Sequence, residues 1–314
     1  FYLRDTDDCS YAKGFVAGDI DKGDFMRKGW EPVSSRVTIL VDNAVMELIP
    51  NSKFVTRLSM PDKSFICEHG FSALVEAEGK RILIDTGSVG IAVIHNLKLL
   101  GINPGDIDLI FLSHGHYDHT GGILGFTAKV IAHPSAFFKR YLLTPVGTRF
   151  DLTCHSSEMF IDRVEYHSGP LQLAKGIWTT GEIKRRHPWE MLNIFEIQKD
   201  GKDVPDDIID DQGVIISSKK GLVVISGCGH AGIINTIEQA IELSGINEVY
   251  CVIGGFHLIG PGESKIDQTI KELKRLNVKK VVPIHCTGFE GIKKISIEMP
   301  EEFEYGTTGC RIDL

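Results

Sequence analysis

The segment that most constrains this chain is the run Ser113-His114-Gly115-His116-Tyr117-Asp118-His119-Thr120-Gly121-Gly122. Three imidazoles and a carboxylate fall within six positions. A core helix would hold them only at a large desolvation cost. They suit a tight loop whose alternate side chains converge on a cation, since imidazole nitrogen and carboxylate oxygen are ligands that zinc, iron and manganese accept. Two adjacent ions would need about this many donors, plus others from distant strands. The bland alternative is a solvated polar loop.

The strand ends support the first reading. Open α/β proteins present functional residues at the carboxyl ends of their strands. Here Ile82–Ile84 ends in Asp85-Thr86-Gly87, and Leu109–Leu112 ends in the histidine run. Leu222–Ile225 ends in Ser226-Gly227-Cys228-Gly229-His230, Val252–Ile253 in Gly254-Gly255-Phe256-His257, and Val281–Ile284 in His285-Cys286. Packing alone does not readily produce five such endings.

Apolar patterning predicts the elements that carry these ends. Arg36–Val41 reads as a strand, and Ser72–Ala77 with Arg81–Ile84 as a hairpin around Glu78–Lys80. Val89–Leu100 has helical spacing and stops at Gly101. Further strands are expected at Asp108–Leu112, Lys129–Ala132, Leu192–Ile197, Val214–Ser218, Leu222–Ser226, Glu248–Ile253 and Lys280–Ile284. Helices are expected near Ser135–Tyr141 and at Ile233–Leu243 and Ser264–Leu276. Residues 1–35 lack periodicity and read as an N-terminal extension packed on the surface. Residues 36–314 then form a single α/β domain with two similar halves. Glycines at Gly121-Gly122 and Gly229 are expected to open helices, whose N-termini can receive an anionic group.

Composition excludes several classes. A net charge of −8 argues against a general nucleic-acid binder, which needs clustered Lys and Arg. Hydrophobic stretches such as Gly221–Gly229 are too short to cross a bilayer. No positively charged start leads into an apolar run, although a first residue of Phe1 leaves a removed leader open. The 7 cysteines are scattered and never form Cys-x-x-Cys, so a disulfide framework is not expected and a cytoplasmic location is. No nucleophile elbow or P-loop is present.

The chain resembles the metallo-β-lactamase-fold superfamily through Asp85-Thr86-Gly87, the histidine run and the late glycine-flanked His and Cys positions. The order HGFSALVE (His69–Glu76), SHGHYDHTGG, TGEI (Thr180–Ile183), DDQG (Asp210–Gly213), GCGHAGI (Gly227–Ile233), GGFHL (Gly254–Leu258) and PIHCTG (Pro283–Gly288) resembles one subgroup. That subgroup contains hydrolase-like proteins and archaeal dihydropterin synthases of methanopterin biosynthesis. The resemblance spans roughly Arg36 to the C-terminus. It implies an αββα four-layer sandwich.

It also implies one or two divalent ions, zinc foremost, with iron, manganese or magnesium as alternatives. One would be held by His114 and His116, the second by Asp118, His119 and His285. Asp85 would orient the histidine loop without touching metal. The chain departs from the commoner pattern at Cys228, which stands where relatives carry a bridging aspartate. Either His230 completes the first site with Cys228 packed beneath, or Cys228 ligates and His230 meets substrate. His230 is the favoured ligand, with Asp211 a substitute for the missing carboxylate. His187, His155 and His167 are alternative ligands from the irregular middle. His257 is read as a catalytic histidine at the metal rim, with a buried hydrogen-bonded histidine as its alternative. His69, Arg185 and Arg186 are candidate substrate contacts.

The expected function is metal-dependent hydrolysis of a small, anionic ester, lactone or phosphoester, with Asp118 orienting the water and accepting its proton. The first alternative is a transferase that joins a dihydropterin pyrophosphate to an aromatic amine. A non-catalytic or redox metal protein comes after that. Redox relatives commonly carry Glu where this chain has His116.

Overall fold

Side-chain alternation along the strands sorts the apolar residues into three layers. The computed structural model describes residues 29–59, 62–144, 146–154, 157–260 and 262–314. Its first sheet runs, edge to edge, β2 (Thr56–Arg57), β18 (Cys310–Asp313), β1 (Ser35–Val41), β3 (Ser72–Ala77), β4 (Lys80–Ile84), β5 (Leu109–Phe111), β6 (Lys129–Ala132) and β9 (Val164–Tyr166). A second sheet runs β10 (Gln172–Ala174), β11 (Ile177–Thr179), β14 (Gly213–Ser218), β15 (Gly221–Ser226), β16 (Val249–Gly254) and β17 (Lys280–Pro283). The two sheets face each other. Ala73, Val75, Ile82 and Ile84 of the first pack in one cluster with Val214, Ile216, Val223 and Ile225 of the second.

The intervening residues point outward to helices. Leu74, Leu83 and Ile110 meet Ala92, Val93 and Leu97 of α1 (Ile91–Leu99). On the other side, Val249, Val252 and Val281 meet α3 (Ile233–Ser244), α4 (Glu263–Arg275) and α5 (Gly288–Glu298). A single turn, α2 (Tyr117–Thr120), lies in the histidine run. The result is the αββα sandwich. Its halves repeat one plan: β3 and β4 pair antiparallel before β5 and β6 continue in parallel, and β14 and β15 pair antiparallel before β16 and β17 do the same.

Four local expectations are corrected. The helix expected near Ser135–Tyr141 is a turn followed by β7 (Arg140–Leu143), because this segment joins a third sheet. That sheet runs β13 (Lys202–Pro205), β12 (Phe195–Lys199), β7 and β8 (Arg149–Asp151). The strand expected at Leu192–Ile197 begins only at Phe195, leaving Leu192 in a loop. Gly121-Gly122 follows the α2 turn instead of opening a long helix, and α3 opens at Ile233 after Gly232. The hairpin is tighter than expected, turning on Glu78 and Gly79 alone, both at positive φ.

Most of the N-terminal extension lies outside the described residues, as does His155. At its described end, Trp30 stacks on Trp178 at 5.3 Å, and Val33 donates to the Ser217 carbonyl. No helix among the described residues is long and apolar enough to cross a membrane.

Candidate metal centre

The parallel strands of both sheets end at one edge of the sandwich, and the loops that follow them meet there. Asp85, just after β4, is fully buried in the left-handed conformation (φ 55°). Its Oδ1 accepts the Ser113 N–H at 2.7 Å, and its Oδ2 accepts the Ser113 hydroxyl at 2.6 Å and His119 Nδ1–H at 2.7 Å. One carboxylate thus anchors the start of the histidine run and fixes a ring at its end. Because the Ser113 hydroxyl is donated to Asp85, its oxygen accepts from His114 Nδ1, 2.9 Å away. In both rings Nε2 is then the nitrogen turned toward the other donor atoms, the one that would face a cation.

Among the described residues the donor atoms fall into three groups, each with all members within 4.8 Å of one another, the third being Cys228, His257 and Cys286, which shares its first thiol with the second. His114, His116 and His230 form the first. Asp118, His119, Cys228 and His285 form the second. In the first, His114 Nε2 lies 3.0 Å from His116 Nδ1, and the His230 ring stands 4.8 Å from each of those two rings. In the second, Cys228 Sγ lies 3.1 Å from His119 Nε2 and 3.2 Å from His285 Nε2. Asp118 Oδ2 is 3.7 Å and 3.5 Å from the same two nitrogens. His285 is oriented by Asn43 Oδ1 at Nδ1 and by Asp42 at its backbone N–H.

Electrostatics separate the first two groups. Burial, reinforced by neighbouring cationic groups, holds His114, His116 and His230 well below the usual imidazole range, so all three are neutral. Burial also opposes charge on Asp118 and His119, but their mutual attraction wins. Asp118 is lowered to about 2, with help from His285, and His119 is raised to about 9, with help from Asp85. His116 Nε2 and both ring nitrogens of His230 are buried without a protein partner. Leaving such atoms unpaired is costly, and a cation they ligate would satisfy them. The residues present therefore fit a metal.

The other predicted residues take varied places. His69 Nε2 lies 3.4 Å from Asp118 Oδ2, with its side chain 61% exposed at the rim of the second group. His257, also at positive φ, sets its ring 4.2 Å from that of His230 at a 46° tilt and falls near Cys228 and Cys286. Asp211 accepts the Ala231 N–H at 2.7 Å, holding the turn after His230, and burial pushes its carboxyl up to about 7. Arg185 donates to the carbonyls of Ile183, Asp207 and Ile208, and Arg186 pairs with Glu242. His187 pairs with Glu238 and His167 with Glu165, outside these donor groups. The α3 N-terminus is taken: Glu190 accepts the N–H groups of Ile234 and Asn235.

Sequence reading gave no site role to Asp42-Asn43, Arg140 and Phe195, nor to Asp210, which it met only within the DDQG motif. The first pair follows β1 and shows the same strand-end signal as Asp85. The buried Arg140 carries no comparable signal. A narrow cleft of about 10 Å³, no larger than a water molecule needs, is lined by His230 and His257 with Met191, Leu192, Phe195, Asp206, Asp207 and Ile208.

Donor groups converging at one edge of an αββα sandwich define a protein of the metallo-β-lactamase type, a fold that implies divalent-metal binding. The chain belongs to the metallo-β-lactamase superfamily, whose family model matches residues 66–135. It is 38% identical over 259 residues to the 7,8-dihydropterin-6-methyl-4-(beta-D-ribofuranosyl)-aminobenzene-5'-phosphate synthase of Methanocaldococcus jannaschii, covering 76% of this chain and 88% of that one. An uncharacterized protein of the same organism, MJ0448, is 37% identical over 79% of this chain and 94% of its own. Among solved structures, Tm1679, described as a metal-dependent hydrolase of the beta-lactamase superfamily, superposes with a TM-score of 0.75 at 26% identity. That match covers 89% of this chain and 99% of Tm1679.

Proposed function

We propose that the chain is a divalent-metal-dependent hydrolase acting on a small ester, lactone or phosphoester. His114, His116 and His230 would hold one ion, and Asp118, His119 and His285 a second beside the Cys228 thiol. This mixed nitrogen, oxygen and sulfur set suits zinc better than magnesium. The observation that carries the reading is the set of buried imidazole nitrogens on His116 and His230 that have no protein partner. Bound ions of this kind would lower the pKa of water to about 7 and polarise a carbonyl or phosphoryl oxygen.

The chain's own residues do the remainder. Asp118, within reach of His69, His119 and His285, orients the attacking water and receives its proton. His257 faces the cleft beside His230. Phe195 gives the cleft an apolar wall that limits water around the reacting group. Arg185 shapes that wall through the Asp207 and Ile208 carbonyls.

The test is metal analysis and an ester, lactone and phosphoester panel on the wild type and on His116→Ala. The variant is expected to lose metal and to fall to background hydrolysis. Hydrolysis that survives metal loss would show that this site is not the catalyst. The 38% identical synthase favours a second reading, in which the same centre joins a dihydropterin pyrophosphate to an aromatic amine. Pyrophosphate release that depends on both substrates, with the hydrolysis panel silent, would replace the first reading with the second.

A further inference from the structure

Arg140 is 1% exposed, the largest of the fully buried side chains, and lies beneath the histidine loop. Its Nη1 and Nη2 form a fork on Asp210, at 2.9 Å to Oδ2 and 2.6 Å to Oδ1, while its Nε donates to Asp206 Oδ2 at 2.8 Å. Asp210 Oδ2 also accepts the Gly115 N–H at 2.9 Å. Gly115 is the residue between His114 and His116. A side chain there is excluded, because a Cβ would fall 1.6 Å from the Ala136 carbonyl oxygen and 2.7 Å from Arg140 Nη1. The second aspartate leads elsewhere: Asp206 accepts the Ile208 N–H and donates its own N–H to the Phe195 carbonyl, so it ties down the cleft wall.

We propose that Arg140 is a positioning residue that sets the spacing of the His114 and His116 donors through Asp210 and Gly115, and that its Asp206 arm serves the cleft separately. The inference rests on the metal reading of the first donor group. A buried arginine held by two carboxylates is weak evidence for stability alone, since apolar packing of similar volume often does as well. Here the fork has a geometric task. Arginine presents planar paired donors that match a carboxylate, whereas lysine is a single point charge unable to serve Asp206 and Asp210 with the same geometry. Residues that orient ligands typically govern metal affinity by 10–100-fold.

The experiment compares Arg140→Lys, Asp210→Asn and Asp206→Asn by competing zinc from each protein with a chromophoric chelator, alongside melting of the metal-free forms. An asparagine at 210 has one acceptor oxygen; placed where Oδ2 lies it keeps Gly115 and Nη1 but turns its own N–H groups on Arg140 Nη2, so the paired fork and its charge are lost. Arg140→Lys and Asp210→Asn are expected to weaken one zinc ion by roughly 10–100-fold and leave the other unchanged. Asp206→Asn, with the Asp210 arm intact, should keep both affinities within about threefold. If Arg140→Lys does not fold, the contrast between the two aspartate variants decides. Unchanged affinities in Asp210→Asn, or equal losses in both aspartate variants that track melting temperature, overturn the positioning role. A wild type that binds no zinc overturns the metal reading itself, and is recognised without any variant.

Discussion

At the scale of single residues, the centre is organised by carboxylates that spend their oxygens on named partners. Asp85 ties Ser113 to His119, Asp210 ties Gly115 to Arg140, and Asp42 holds the backbone of His285. The Asp118–His119 pair makes the metal-free protein pH-sensitive. His119 is raised from 6.5 to about 9, so the folded state keeps a proton that the unfolded chain releases near 6.5. Its contribution is complete below pH 6.5 and is lost as the pH rises through about 9. Asp118 is lowered from 3.8 to about 2, so its contribution is present above pH 3.8 and lost as the pH falls through about 2. Metal-free protein should therefore melt lower at pH 9 than at pH 6.5. Below pH 6.5, His114, His116 and His230, which only the unfolded chain protonates there, work against the pair and lower stability toward acid. Saturating zinc should remove the alkaline fall, because a ligating imidazole must be unprotonated. Thermal melts from pH 4 to 9, with and without zinc, check both limbs. A flat metal-free profile would count against the buried ion pair.

At the scale of elements, the loops after parallel strands are held by neighbours distant in sequence. Glu190 reaches from a loop to the first turn of α3, where its carboxylate accepts the N–H groups of Ile234 and Asn235. It serves as the N-terminal cap, since Gly232 has no side chain and a Cβ there would meet Glu190 Oε2 at 2.3 Å. Lys265 of α4 donates to the backbone carbonyls of Glu190 and His257 from the other side. Glu190→Ala should lower stability by about 1–2 kcal/mol, the usual cost of losing a helix cap. Urea unfolding measures this. The same variant should broaden the NMR signals of the adjacent His230, and sharp, unshifted signals would show that the cap does not steady that turn.

At the scale of the whole molecule, each of the first two donor groups is assembled across the sandwich. His114, His116, Asp118 and His119 come from the loop after β5 in the first sheet, whereas Cys228 and His230 follow β15 and His285 follows β17 in the second. A cation bound by either group cross-links the two halves. Zinc at about a hundred times its Kd should therefore add about 2.7 kcal/mol to unfolding stability. It should also slow hydrogen exchange in β5 and β15 together, and chelation should reverse both effects. Protection confined to one sheet would place the ion within one half only.

Much of this arrangement was legible in the chain. The strand-end punctuation at Asp85, His114–His119, Cys228–His230 and His285 led directly to residues that the fold brings together, because parallel strands must deliver their ends to the same edge. The choice between Cys228 and His230 was not legible. Both follow the same strand within three positions, and only the packing of β15 against the loop after β5 directs His230 to the first donor group and Cys228 to the second. Arg140 was read as part of a helix because its neighbourhood is apolar and locally ambiguous. Its role depends on Asp206 and Asp210, 66 and 70 positions away.

The sequence by itself determined the α/β elements, the histidine run and the kind of atom the centre offers, since these follow from short-range periodicity and residue chemistry; the sandwich was implied by the family resemblance. Only the tertiary structure decided how the donors divide, which carboxylate orients which ring, and that the α3 N-terminus is closed by Glu190. Those outcomes depend on distances between loops far apart in the chain, and such distances exist only once both sheets have packed.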